Sequence, residues 1–178
     1  HASCGTCACT INGVEGLACK TKLADLGTQA ITLEALHCFQ RIGDLVTVRS
    51  TLFQFMHPDW SCLQPDDKRD NHDFLLSGDG REITKFENCI ECGCCVSACP
   101  VARKNRHFLG PAVLSAINRE KKKNPSTEND LLSLAAAPDG EPSCQRALVC
   151  SRVCPTGVYP AKHIAELRNQ RKRTGNTA

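Results

Sequence analysis

CIECGCCVSACP at residues 89–100 and CQRALVCSRVCP at residues 144–155 share one frame. In the first, Cys89, Cys92, Cys95 and Cys99 follow the spacing C-x2-C-x2-C-x3-C, and Pro100 comes next. In the second, Cys144, Cys150, Cys154 and Pro155 hold the corresponding places, but Ala147 stands where Cys92 stands. The chain has 178 residues and 14 cysteines, so thiol chemistry is its dominant signal. Disulfides in small domains are usually spread to staple distant segments, whereas these cysteines are bunched, which favours ligation of a metal or cluster.

The spacing with a terminal Pro is the signature of cubane iron–sulfur ligation. Three thiolates two residues apart on a tightly turning backbone cap three irons of one cube, and the fourth Cys reaches a neighbouring cluster. Two such runs cross-ligate. One cluster is then expected on Cys89, Cys92, Cys95 and Cys154, and a second on Cys99, Cys144 and Cys150, with residue 147 at its fourth corner. Ala147 has no donor atom, so the simplest expectation is a 3Fe–4S centre beside a 4Fe–4S centre. The alternative is a four-iron cube completed by water, hydroxide or a nearby side chain. Paired C-x2-C motifs also suit zinc, but these repeated frames fit zinc poorly.

Cys4, Cys7, Cys9 and Cys19 form a third group. Plant-type 2Fe–2S sites use C-x4-C-x2-C with a distant fourth Cys. Cys4, Cys7 and Cys19 fit the last three places. The first place would lie before His1, and either a lost Cys or Cys9 fills it; Cys9 falls on a strand position that should point into a core. The chain starts with His1 and has a single Met, so a fragment of a longer product is expected. Cys38, Cys62 and Cys94 fit no frame and read as small buried residues.

Around these frames the chain divides near residue 48, into units 1–48 and 49–178. ACTINGVEGLAC at 8–19 reads as a hairpin with Asn12-Gly13 as its turn. QAITLEA at 29–35 and IGDLVTV at 42–48 read as further strands. RSTLFQFMH at 49–57 reads as a short helix, and the acidic stretch 61–81 as a connecting loop. Residues 111–123 read as a helix with Pro111 in its first turn and a basic end. Thr127 with Asp130 is expected to cap the next helix, and a last one should start near Pro160 and carry Ile164 and Leu167.

Net charge is +3, acidic between Asp59 and Glu87 and basic from Val101 to Lys123 and beyond Thr156. The basic stretches read either as solvated helix faces or as a side facing an anionic membrane or acidic partner. One Trp and one Tyr, with no nucleic-acid motif, argue against nucleic acid. No signal-peptide core lies near the start, and the uncharged stretch HFLGPAVLSAIN at 107–118 is too short to span a bilayer.

CGTCACTINGVEGLACKTKL at 4–23, CIECGCCVSACP, RHFLGPAVLSA at 106–116 and C-x5-C-x3-CP followed by GVYPAKHI at 157–164 together resemble the iron–sulfur subunit of succinate dehydrogenase and fumarate reductase. The resemblance implies an α+β chain: an N-terminal β-grasp plant-type ferredoxin domain, truncated at its start, and a C-terminal all-helical, bacterial-ferredoxin-like domain. It implies an electron relay from FAD in a flavoprotein subunit, through 2Fe–2S, 4Fe–4S and 3Fe–4S clusters, to a quinone at membrane anchor subunits that can carry haem b. The subunit would be peripheral, on the cytoplasmic face of a prokaryotic inner membrane or the matrix face of a mitochondrial one. Substrate conversion would belong to the flavoprotein.

Two positions depart from the family. Its quinone site often uses a Trp a few residues after a Cys-Pro pair and a His directly after the first three-iron Cys; here Lys104 and Gln145 stand there. Lys104, His107 and Gln145, with Arg103 and Arg106, are the candidates near a quinone, against the plainer reading of a basic surface loop. Two other functions compete with the relay as stated. One is the relay subunit of a heterodisulfide- or thiol-linked reductase, or of a glycolate- or glycerol-phosphate-type dehydrogenase, which typically carries two complete cubane frames. The other is a zinc-stapled interaction module.

Overall fold

The computed structural model describes residues 2–27, 30–49, Leu52, 88–123 and 125–175. The expected helix at 49–57, all but Arg49 and Leu52, the loop at 61–81 and Cys62 lie outside the described residues. In the first part, strand β1 (Ala8–Ile11) pairs antiparallel with β2 (Val14–Leu17), with Ala8 opposite Leu17 and Ile11 opposite Val14. Asn12 and Gly13 both have positive φ, 48° and 82°, which is the two-residue turn whose twist matches a hairpin. Strand β3 (Leu33–Glu34) lies on the other side of β1, giving the order β2-β1-β3. Asn12 helps to hold that edge: its Oδ1 accepts from the Thr32 amide at 2.8 Å.

Two strand expectations are corrected. Within the described part of 29–35, only Leu33–Glu34 is strand. Residues 42–48 are not one strand: β4 (Gln40–Gly43) and β5 (Val46–Val48) form a second hairpin, reversing at Asp44 with φ 37°. Gly43-Asp44 is a turn signal, since Asp tolerates the left-handed region. It overrides the apolar run that suggests a continuous strand.

The second part is helical: α1 (Cys94–Ser97), α2 (Pro100–Lys104), α3 (Gly110–Lys123), α4 (Glu128–Ala136), α5 (Val149–Arg152) and α6 (Pro160–Gly175). Helix α3 is the axis of the core. It starts with Pro111 in its first turn, ends in Lys121, Lys122 and Lys123, and is buried from Gly110 to Arg119. Val113, Leu114 and Ile117 pack with Leu131 of α4 and Ile164 and Leu167 of α6. Across the α3–α6 contact, Asn118 Nδ2 donates to Glu166 Oε2 at 2.8 Å and lies 2.9 Å from His163 Nδ1.

The expected Thr127 cap of α4 is also corrected. Thr127 stands at the N-cap with φ −100° and ψ 3° and makes no side-chain capping bond. A capping hydroxyl needs an extended N-cap backbone, and the preceding 3-10 turn Pro125–Thr127 withholds it.

The two parts share a core. Ala8, Leu17, Leu36 and Phe39 from the first meet Cys92, Cys94 and Ala112 from the second. Beside it lies a polar clamp. Glu15 of β2, 6% exposed, accepts from Ser97 Oγ at 2.8 Å and from Arg103 Nη2 at 2.7 Å. Ser97 Oγ in turn accepts from the His37 amide at 2.8 Å. A buried carboxylate needs such partners, because unpaired it would cost several kcal/mol, about 3–5 in typical cases.

Candidate cluster sites

The first group is assembled by the β1–β2 hairpin. Its return strand delivers Cys19 to Cys7, whose Sγ accepts from the Cys19 amide at 3.4 Å. Cys4 and Cys19 are exposed and Cys7 is half-buried. The Thr6 hydroxyl lowers the Cys4 thiol pKa, and the Ala2 amide lowers that of Cys19. Cys9, in the middle of β1, is buried, and burial raises its thiol pKa.

The second and third groups come from two loops of the same shape. Glu91 and Gly93 flank Cys92 with φ 52° and 83°, and Arg146 and Leu148 flank Ala147 with φ 57° and 60°. Each loop then enters a single helical turn, α1 after Gly93 and α5 after Leu148. Ala147 therefore occupies the backbone slot of Cys92. Leu148 holds a conformation that costs a non-glycine residue roughly 1–2 kcal/mol, and it does so while largely exposed.

Cysteines of both loops line two cavities. Cys89, Cys92, Cys95 and Cys154 line one narrow cavity with apolar walls from Ala112, Val158 and Pro160. Cys99, Cys144 and Cys150 line another of about 280 Å³, together with Ala147, Phe108 and Ile164. The Val158 amide donates to Cys154 Sγ at 3.3 Å. Arg168 of α6 pairs with Glu141 and donates from Nη2 to the Cys144 carbonyl at 3.0 Å, fixing the start of the second loop. Arg152 donates to the Ala147 carbonyl at 2.9 Å.

Electrostatics test whether iron–sulfur groups suit these donors. Burial pushes Cys95 well above the ordinary thiol range, and the sulfurs of Cys92, Cys154, Cys150 and Cys99 push it further. Burial likewise raises Cys150, to about 11, with Cys99 and Cys144 adding to it. Cys92 goes the other way, to about 7, because Cys94 donates a hydrogen bond to it. Crowded, buried thiols of this kind become stable thiolates only with positive charge among them, which iron supplies. Among the described residues, these sulfurs stand around two cavities. The donor set thus fits clusters.

Two of the unframed cysteines, Cys94 and Cys38, are among the described residues. Cys94 is fully buried, its Sγ 3.8 Å from the Gly16 carbonyl, and Cys38 is half-buried with its Sγ 3.8 Å from the Val96 carbonyl. Of the quinone candidates, Gln145 lines the larger cavity, whereas Lys104 and His107 are exposed and do not. The sequence reading missed Arg49 and Arg168. Arg49 donates to carbonyls of both the Cys4–Cys7 loop and the Cys89–Cys95 loop. Lys20, beside Cys19, donates to the carbonyl of Pro155, beside Cys154, at 2.6 Å. No spacing marks such cations; only the tertiary contacts do.

Comparison with known proteins agrees with the geometry. Residues 1–54 match the family described as a 2Fe-2S iron-sulfur cluster binding domain, and residues 85–158 match the 4Fe-4S dicluster domain. The chain is 31% identical over 173 residues to the fumarate reductase iron-sulfur subunit of Wolinella succinogenes, covering 94% of this chain and 72% of that protein. It is 33% identical to the fumarate reductase iron-sulfur subunit of Mycobacterium tuberculosis, covering 90% and 67%. It is 29% identical to the mitochondrial succinate dehydrogenase [ubiquinone] iron-sulfur subunit of Candida glabrata, covering 94% and 68%. Among solved structures, a chain of the Mycobacterium smegmatis Sdh1 complex in the apo form superposes with a TM-score of 0.74 at 23% identity, over 96% of this chain and 73% of that one.

Proposed function

The chain belongs to the family of iron–sulfur subunits of succinate dehydrogenase and fumarate reductase, and from that premise we propose how its residues divide the work of an electron relay. The relay runs between FAD in a flavoprotein subunit and a quinone at a membrane anchor. Iron–sulfur clusters, when bound, take up and release one electron at a time, which reconciles a two-electron flavin with a two-electron quinone. Cys4, Cys7 and Cys19 hold 2Fe–2S on an N-terminal unit, residues 1–48, of β-grasp type. Cys89, Cys92, Cys95 and Cys154 hold 4Fe–4S, and Cys99, Cys144 and Cys150 hold 3Fe–4S, in the unit 49–178.

The observation that carries this reading is the identity of the two loops around Cys92 and Ala147. The same left-handed pair presents a thiol in one and a methyl group in the other. A loop that keeps the ligand's backbone but lacks its sulfur suits a cube with one corner missing. Phe108 and Ile164 give that cavity apolar walls, and Arg168 holds the Cys144 carbonyl.

Gln145, Lys104 and His107 are proposed for the quinone end, Gln145 closest to the site. None of the described helices is long and apolar enough to cross a membrane, and the basic ends of α3 and α6 would suit an anionic membrane surface or the anchor. The test is electron paramagnetic resonance of the purified complex, first oxidised and then reduced. The expected result is a three-iron signal in the oxidised sample and two further signals on reduction. An oxidised sample with no three-iron signal would remove the assignment at Ala147.

A further inference from the structure

The first two cysteine sites meet backbone to backbone. Gly5, between Cys4 and Cys7, has φ +67°, and a Cβ built on it would lie 2.7 Å from Cys92 Cβ and 2.8 Å from Cys92 Cα. No side chain fits that gap, so the loop of one site rests directly on the loop of the next. At this contact Arg49 spans the seam. Arg49 Nη1 donates to the Gly5 carbonyl at 3.0 Å and to the Cys92 carbonyl at 3.2 Å, and Nη2 donates to the Thr6 carbonyl at 3.3 Å.

We propose that Arg49 is a positioning residue for electron passage, fixing the separation of the first two clusters by bridging their ligand loops. The inference rests on the cluster assignment above. A planar guanidinium offers five donors in a rigid fork, and three acceptors on two loops use that geometry. Electron passage between two centres weakens steeply with their separation, so what holds this seam bears directly on that passage. The same cation lies beside the Cys92 loop and favours the reduced, more negative form of the second cluster.

Arg49→Gln and Arg49→Lys test this in the purified complex containing the full-length subunit. Iron and acid-labile sulfide contents report cluster loading. Microwave power saturation of the reduced centres reports their separation, because neighbouring spins relax one another. In Arg49→Gln the relaxation enhancement should fall several-fold and the midpoint potential of the four-iron centre should drop. Arg49→Lys keeps the charge but cannot reach both loops at once, so the potential should hold while the enhancement still falls. Unchanged enhancement in either loaded variant overturns the proposal. So does loss of clusters from Arg49→Lys, which would make Arg49 a requirement of assembly rather than of spacing. If the unaltered complex lacks either reduced signal, the cluster assignment itself fails, a different outcome from these.

Discussion

Ala147 carries more of the chemistry than its methyl group suggests. Its neighbours Arg146 and Leu148 hold left-handed conformations that an alanine loop has no local reason to adopt. They are the conformations that Glu91 and Gly93 impose around Cys92. The loop keeps the backbone of a ligand position without the ligand, so on the proposed cluster assignment the Ala147→Cys variant should supply the fourth corner. The expected outcome is loss of the three-iron signal in the oxidised complex, gain of a fourth iron in that centre, and a lower midpoint potential. A spectrum and iron content unchanged in a variant that assembles normally would mean that residue 147 does not face the cluster. The alanine in the frame was legible from sequence as a gap in a repeat. That the gap preserves the backbone of a thiol position was not legible, because the torsions at Arg146 and Leu148 have no glycine or asparagine to announce them.

At the scale of elements, helix α3 organises everything around it. Its buried face meets α4 and α6 through Leu114, Ile117, Leu131 and Leu167, and its first two turns reach the cysteine cavities through Pro111, Ala112 and Ser115. Leu114 is fully buried, so Leu114→Ala should cost about 2–5 kcal/mol, from lost transfer energy and the cavity left behind. A denaturant titration checks this: the midpoint should fall with an unchanged slope. An unchanged midpoint would mean that α3 is not the stabilising axis. The helix was readable because Val113, Leu114 and Ile117 recur at helical spacing and Pro111 and the lysines mark its ends. The β1–β2 hairpin was readable from Asn12-Gly13 for the same local reason. The β4–β5 hairpin was not, because apolar Ile42, Leu45, Val46 and Val48 outweighed the Gly43-Asp44 turn. Ile42 and Val46 are in fact exposed, so their apolar character was no guide to a buried strand. The Glu15–Ser97–Arg103 clamp was out of reach of any local reading, since its members lie more than eighty residues apart along the chain from Glu15 to Ser97.

The whole molecule is held by two different kinds of interaction, and removal of iron separates them. The core around α3 is apolar packing. The loops around Cys92 and Ala147 are short, contain left-handed non-glycine residues, and end in thiols whose burial raises their pKa at Cys95 and Cys150. On the proposed cluster assignment, iron holds these sulfurs as thiolates against that raised pKa, so the binding energy of iron there adds to folding energy. Anaerobic stripping of iron with a chelator should therefore lower the thermal midpoint, and reconstitution with iron and sulfide should restore it. Amide hydrogen exchange resolves where the loss falls. Residues 89–95 and 144–150 should lose protection first, with the Cys4–Cys7 loop following because Gly5 rests on Cys92 and Arg49 joins them. The amides of α3 should stay protected through the same treatment. Early loss of protection along α3 would show that the apolar core depends on the clusters. Loops as protected without iron as with it would show that the thiols fold unaided, and the fit between these donors and iron–sulfur groups would lose its physical basis.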